Sequence, residues 1–316
     1  MTSPSPRILV AIATYKRVDL LKGLLTSLDA LQFETDPDAD ITIAVIENDP
    51  GETARDAVCA HSEHSPFKVI YEVENRPGVT HVRNRALSMA KDYDFLAFID
   101  DDEFATPNWL DELLRRQKTT GATAVFGPVR SVYSDKVSAW IADWAPHATP
   151  YETDAIMSKP GATCNCLISM SAIADEDLTF DPKMSLLGGE DTLFFSKLMD
   201  RGHILAQSST AIVHEHIPDN RAQVSWLLRR WYRTGMTDAM IGGRNASQTS
   251  TRIKAVVGGL VRIGAGLSMA ATTYALSLGK AKIPTMNRLY TASRGAGMIA
   301  FAFGFSYEEY GNKKAD

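Results

Sequence analysis

Phe95-Leu96-Ala97-Phe98-Ile99-Asp100-Asp101-Asp102-Glu103 is the most informative stretch of this chain. Five apolar residues in a row, with no polar alternation, read as a strand buried on both faces inside a mostly parallel sheet. Four carboxylates follow at once, where such a strand must leave the core. Open α/β sheets bind their ligands beyond the carboxyl ends of the strands, so the acid run falls where a site is expected. Crowded carboxylates repel one another unless a cation neutralises them, and hard cations such as Mg²⁺ or Mn²⁺ prefer oxygen donors. The competing reading is a solvated loop whose acids favour the helix that begins near Thr106-Pro107.

The flanking sequence repeats the same logic. Residues 7–14 are an apolar run ending at Thr14-Tyr15-Lys16-Arg17, and 18–30 carry leucines at helical spacing (Leu20, Leu21, Leu24, Leu25, Leu28). Residues 41–47 form a β-branched strand that stops at the turn Asn48-Asp49-Pro50-Gly51. A helix over 52–61, a strand over 67–73, a turn at Pro77-Gly78 and a helix over 79–91 complete the approach to Phe95. Strands alternating with helices specify an α/β chain with an open, mostly parallel sheet. Each polar cluster ends a strand. Further on, 122–132 read as a strand pair, 140–153 as a loop rich in Trp, His and Pro, 164–170 as a buried strand and 211–216 as the last one. From Asn220 the character changes to helix with a basic face.

Composition narrows the class. The 316 residues are 45% hydrophobic and 22% charged, which excludes disorder, collagen and a disulfide scaffold. Three cysteines suit a reducing compartment, and the short polar lead at 1–6 gives no expectation of a secretory leader. The net charge of −5 argues against nucleic acid as a partner, but it conceals a division. Residues 1–220 hold 19 basic and 34 acidic side chains, a balance of −15, whereas 221–316 hold 14 and 4, a balance of +10. Such asymmetry suggests an anionic surface beside the basic part, or a basic tail packed on its own acidic domain. Residues 255–278 are apolar, but Arg262 and several Gly and Ser positions interrupt them, so a helix lying in a membrane interface is expected ahead of a span.

Three further groups carry chemistry. Gly188-Gly189-Glu190-Asp191 opens a helix, and a carboxylate there can serve as general base or merely as a cap. His214 and His216 are two apart, hence on one side of a strand, where either can ligate a metal or simply pack. Cys164 and Cys166 lack the second pair that a zinc site needs. Neither a glycine-rich phosphate loop ending in Lys-Ser/Thr nor a dinucleotide fingerprint is present.

Taken in order, Thr14-Tyr15-Lys16-Arg17, Glu47-Asn48-Asp49, Asn75-Arg76-Pro77-Gly78 with Arg83-Asn84, Phe98 to Glu103, and Gly189-Glu190-Asp191-Thr192 resemble the family 2 glycosyltransferases of the GT-A fold. Within that family the pattern is most similar to the glucosyltransferases of succinoglycan-type bacterial exopolysaccharide pathways, and the likeness covers residues 7–235. The resemblance implies that Thr14, Tyr15, Arg17, Glu47, Arg83, Asp100 and Asp101 bind the nucleotide of a UDP-sugar. Glu47 would lie by the uracil, where Asp is commoner, and Asp100 by the ribose. It also implies that Asp102 and His214 hold Mg²⁺ or Mn²⁺, that Asp191 is the base of an inverting displacement, and that Gly189, Glu190, Arg230 and Trp231 meet the acceptor. Leu227 stands where processive synthases carry Gln, and their long membrane bundle is missing.

The expected organisation is a donor-binding half at 1–115, an acceptor-binding half at 116–220 and a basic amphipathic helical region at 221–316. The acceptor would be an oligosaccharide on polyprenyl diphosphate, reached from the cytoplasmic face of the inner membrane by the cationic region. Two other readings stay open at this point. One is a metal-dependent sugar nucleotidyltransferase, and the other a non-catalytic, membrane-tethered nucleotide-sugar binder within an assembly complex.

Overall fold

The computed structural model describes residues 5–174, 176–185 and 188–305. Part of the polar lead and residues 306–316 of the basic region therefore lie outside the described residues. The chain forms two compact units. The first comprises Met1–Ser131, Ala148–Ser185 and Glu190–His216, and the second Val132–His147, Leu186–Gly189 and Ile217–Asp316.

The first unit begins with β1 (Arg7–Thr14), α1 (Val18–Asp29), β2 (Asp40–Glu47), α2 (Arg55–Ser62), β3 (Lys68–Val73), α3 (Val79–Met89) and β4 (Phe95–Asp100). After these come β5 (Glu103–Ala105), α4 (Trp109–Thr120), β6 (Ala124–Phe126), β7 (Val129–Val132) and, in the second unit, α5 (Ala139–Trp144). The chain continues through β8 (Ala155–Ile156), β9 (Asn165–Ser169), α6 (Met170–Ile173), α7 (Glu190–Asp200), β10 (Leu205–Gln207) and β11 (Val213–His216). Eight strands form one sheet in the order β3-β2-β1-β4-β9-β6-β10-β8, and β5-β11-β7 form a small second sheet. The four leading strands pair in parallel, whereas β9 runs antiparallel between β4 and β6. The mostly parallel α/β sheet expected from sequence is present, with its antiparallel part after β4.

Strand β1 shows why the sequence is apolar throughout. Ile8, Val10 and Ile12 enter one core layer with Leu21, Leu24, Leu25 and Leu28 of α1. Leu9 and Ala11, on the opposite face, enter the other with Val82 and Ala86 of α3 and Phe194 of α7. Successive side chains point to opposite faces, and both faces are covered from Ile8 to Ile12, so those five positions are apolar. Each fully buried leucine is worth roughly 1.5–3 kcal/mol.

The second unit adds α8 (Val224–Gly242), α9 (Gln248–Leu276) and α10 (Lys282–Ala302). Where sequence suggested a loop, Ala139–Trp144 is helical, because Trp140, Ile141 and Trp144 share a buried face with Leu227, Trp231 and Ile217. Helices α9 and α10 approach closely through glycine: a Cβ on Gly295 would lie 2.6 Å from the Gly259 carbonyl oxygen. Helix α9 runs unbroken for 29 residues through Arg262 and its Gly and Ser positions, and is long and apolar enough to cross a membrane by length and composition. Ile253, Val257, Leu260 and Val261 stand exposed along it.

Candidate active site

Register assembles the site in the first unit. Strands β1 and β4 pair in parallel with Ala13 opposite Asp100, so the loop after Thr14 emerges beside the acid run. Thr14 Oγ1 donates to Asp101 Oδ2 at 2.8 Å, and Arg17 Nη1 bridges Asp101 Oδ1 at 3.0 Å and Asp102 Oδ2 at 2.9 Å. Asp101, expected at the nucleotide, is 4% exposed and serves to brace the β1 loop. Tyr15 stays exposed, with the Lys16 ammonium 5.1 Å from its ring centroid.

Glu47 ends β2 opposite Thr14 and is fully buried. Its carboxylate accepts from Thr53 Oγ1 at 2.8 Å, from the Ala54 N–H and from the Tyr71 hydroxyl, tying α2 and β3 to the strand end. Asn48 shapes the next loop: its amide donates to the carbonyls of Glu74 and Arg76, and its Oδ1 accepts from the Gly78 N–H at 2.8 Å. Gly78 has φ +113°, a conformation that suits glycine, and leads directly into α3.

From α3, buried Arg83 pairs with Glu190 and lies 3.9 Å from Asp100 Oδ1. One guanidinium thus ties the start of α7 to the end of β4. Asp191 follows Glu190, and both the backbone N–H and the hydroxyl of Thr192 donate to its Oδ1, fixing the carboxylate's orientation. Burial, reinforced by Asp102, Asp101 and Asp191 and opposed by Arg83, pushes the Asp100 carboxyl up to about 7. Asp191 is therefore close enough to act on Asp100. Burial likewise raises Glu190, against the pull of Arg83. Glu103, part of the same acid run, turns back to accept from the Asp100 N–H at 2.9 Å, and burial raises its pKa.

Strand β11 places His214 opposite Phe104 on β5, and the rings of His214 and His216 both lie 5.0 Å from that phenylalanine. Burial, aided by Arg130 and His216, lowers the His214 pKa and keeps the imidazole neutral. Its Nδ1 is buried without a hydrogen-bond partner. A neutral imidazole with an unused buried nitrogen is donor chemistry that a divalent cation takes. Among the described residues no three acidic, imidazole or thiol side chains form a closed ligand set.

The remaining residues expected at the acceptor sit in the second unit. Gly189 has φ +87°, and a Cβ there would meet Thr237 Cγ2 at 2.2 Å, so the turn and the close approach both require glycine. Trp231 is 5% exposed, set edge-on to Trp144 and Tyr290 in the unit's core. Arg230 is exposed and lies over the Trp226 ring at 5.4 Å. Sequence reasoning named Asn48 only as a turn and motif residue, and it missed Asn165. The latter accepts from Trp109 Nε1 and donates to the carbonyls of Pro128 and Ala211. The only local signal was a polar residue inside an apolar strand.

Strand-end acids tied through Arg83 to the acidic start of α7 lie on a mostly parallel α/β sheet, the arrangement expected of a GT-A fold. The chain belongs to glycosyl transferase family 2, whose model matches residues 9–179. It is 34% identical over 237 residues to the succinoglycan biosynthesis protein ExoM of Rhizobium meliloti (strain 1021), covering 75% of each chain. Its fold is similar to the mannosyltransferase PcManGT from Pyrobaculum calidifontis, solved with GDP-Man and Mn²⁺ (TM-score 0.64, 16% identity, 94% of this chain and 87% of that one). It is similar also to S. aureus TarS 1-349 in complex with UDP (TM-score 0.52, 11% identity, 95% and 92%). Of the longer TarS chain it spans 44%.

Proposed function

We propose that this glycosyltransferase moves a hexose, glucose from UDP-glucose, with inversion onto an oligosaccharide carried by polyprenyl diphosphate at the cytoplasmic face of the inner membrane, in exopolysaccharide synthesis. The identity to a succinoglycan biosynthesis protein supports the pathway class, and relatives of the same fold solved with UDP or with GDP-Man and Mn²⁺ support a nucleotide-sugar donor and a divalent ion. On this reading residues 1–115 carry the donor half, 116–220 the acceptor half and 221–316 the membrane-facing region.

The observation that carries the reading is the link from Glu190, the residue before Asp191, to Asp100 at the end of β4 through Arg83. Asp102 and His214 would hold Mg²⁺ or Mn²⁺, which when bound stabilises negative charge on a departing diphosphate. Thr14, Tyr15 and Arg17 position the nucleotide on the β1 side, while Asp100 sits beside it. Asp191 accepts the proton of the acceptor hydroxyl as its oxygen bonds to the anomeric carbon. The bond from that carbon to the diphosphate breaks on the opposite face, and its electron pair leaves with the diphosphate. Thr192 holds the base in one orientation during this transfer.

Asp191→Asn should lower transfer by roughly 10²–10⁴-fold, the usual worth of a general base, while UDP-glucose binding stays within about twofold of wild type. Parallel loss of binding would assign Asp191 to capping α7 and remove the base.

A further inference from the structure

The turn between α9 and α10 leaves Leu276 and Leu278 exposed at 83% and 86%, the two highest values for a large apolar side chain among the described residues. Tyr274, just before them, is exposed as well. Hydrogen bonds hold the segment: the N–H groups of Leu278, Gly279 and Lys280 donate to the carbonyls of Ala275, Tyr274 and Ser277 at 3.1, 2.9 and 3.0 Å. A Cβ on Gly279 would lie 3.2 Å from the Tyr274 ring, so the ring rests against the turn. Leu278 has φ +49°, a left-handed conformation that costs a bulky residue more than Asn or Gly. A strained position thus presents a leucine to the outside.

Cations follow the leucines at once. Lys280 and Lys282 are exposed, and the Lys282 ammonium lies 5.7 Å from the ring centroid of half-buried Trp140, itself stacked on Trp144. Residues 239–305 hold eight Lys and Arg and no Asp or Glu. Helix α5 brings one exposed carboxylate, Asp143, against the exposed cations Lys280, Lys282 and Arg288. Phe305 lies at the opposite end of α10, about 30 Å from the turn.

Packing limits how far this segment can enter a bilayer. Helix α10 lies against α9 through Gly259, Gly266 and Gly295, and against α8 through Ser293, which donates to the Leu228 carbonyl at 2.7 Å, and the Arg294–Asp238 pair. If α9 crossed the membrane it would carry Arg288 and that ion pair into hydrocarbon. The turn therefore leads, and the exposed apolar side of α9 behind it adds contact. A second copy seated on the same turn would bring like cations together, whereas an anionic leaflet attracts them. Leucines backed by Lys and Trp fit the boundary between headgroups and acyl chains.

We infer that this turn is a wedge that inserts into an anionic bilayer, with Tyr274, Leu276 and Leu278 in the acyl boundary and Lys280 and Lys282 on the headgroups. The inference rests on the membrane-facing role proposed above for residues 221–316 and names the part of that region that enters lipid.

The test floats the full-length protein with phosphatidylcholine vesicles, with and without phosphatidylglycerol. Leu276→Gln with Leu278→Asn should lower binding to the anionic vesicles about tenfold or more, since two leucines lose their apolar burial. That variant should melt no lower than wild type, because Asn suits the left-handed position. Lys280→Gln with Lys282→Gln should weaken binding to the anionic vesicles about tenfold or more, and this surface pair keeps the test valid if the leucine variant melts low. Wild-type binding that neither variant weakens overturns the wedge and leaves the membrane-facing region in place. Absence of wild-type binding to either vesicle overturns both. A leucine variant that binds vesicles fully but turns a wild-type dimer into a monomer gives the face to a second copy and overturns the lipid assignment. Attachment to bacterial membranes that survives alkaline carbonate in the wild type and the leucine variant alike makes α9 a span, which also overturns the wedge.

Discussion

Replacing Arg83 by Met removes the one cation that sits between Glu190 and Asp100. Arg83 and Glu190 keep only 9% and 7% of their side-chain surface, so the ion left behind cannot recruit water. Removing one partner of a buried pair costs about 3–5 kcal/mol, because an uncompensated charge remains in the interior. At about 2–4 °C per kcal/mol for a domain of this size, the melting temperature should fall by roughly 6–20 °C at pH 8. Acid should reverse most of the loss. Burial and Asp191 already raise the Glu190 pKa, and without Arg83 nothing of comparable strength opposes them. A carboxyl whose folded pKa is raised adds stability below its unfolded value and loses it as pH climbs through the folded value. Arg83→Met should therefore melt close to wild type near pH 5 and far below it at pH 8. Adding Glu190→Gln removes the ionisable group, so the double variant should recover most of the stability at pH 8 while remaining impaired in sugar transfer. Thermal unfolding followed by circular dichroism at the two pH values reads all three proteins. A single variant within about 1 kcal/mol of wild type at pH 8, or a double variant no better than the single one, would show that the pair is not the buried brace of α7.

Acid should also unsettle the second unit through His147. Burial, then Arg230 and Arg221, depress its pKa to about 4, and Tyr133 occupies its Nδ1 at 2.8 Å. A histidine neutral when folded and protonated when unfolded withdraws stability as pH falls from about 6.5 to 4, at most about 3 kcal/mol here. His147→Phe should flatten that limb of the pH–stability curve, and an unchanged limb would exclude His147 as its source. Membrane attachment is better probed on the exposed face of α9 than by deleting the basic region, because deletion would strip α10 from the Trp231 core. Val257→Gln with Val261→Gln should release the protein from anionic vesicles in flotation while its melting temperature changes by no more than about 2 °C. Undiminished flotation would place membrane contact elsewhere.

Much of the first unit was legible before any coordinates. Strands β1, β2 and β4 are largely buried on both faces and α1 has a leucine stripe, so period and turn residues marked elements that tertiary packing then kept. Acid runs at strand ends were legible for the same reason: carboxylates rarely follow a buried strand without a task. The short helix Ala139–Trp144 was not, since its Trp and Ile positions make sense only against Leu227 and Trp231 more than eighty residues later.

The amino-acid sequence alone determined the class of fold, the family and the cluster of acids, because these depend on local periodicity and on motif order. Partnership was settled only in three dimensions. Nothing in Asp100-Asp101-Asp102-Glu103 says that Asp101 turns to Thr14 and Arg17, or that Glu103 turns back on its own loop. Parallel register put β1 beside β4, so Asp101 and Asp102 came to share Arg17 while Asp100 met Arg83 and Glu103 met its own loop. Charge is set by residue type, but what a charge does depends on the partner and the burial that long-range packing supplies.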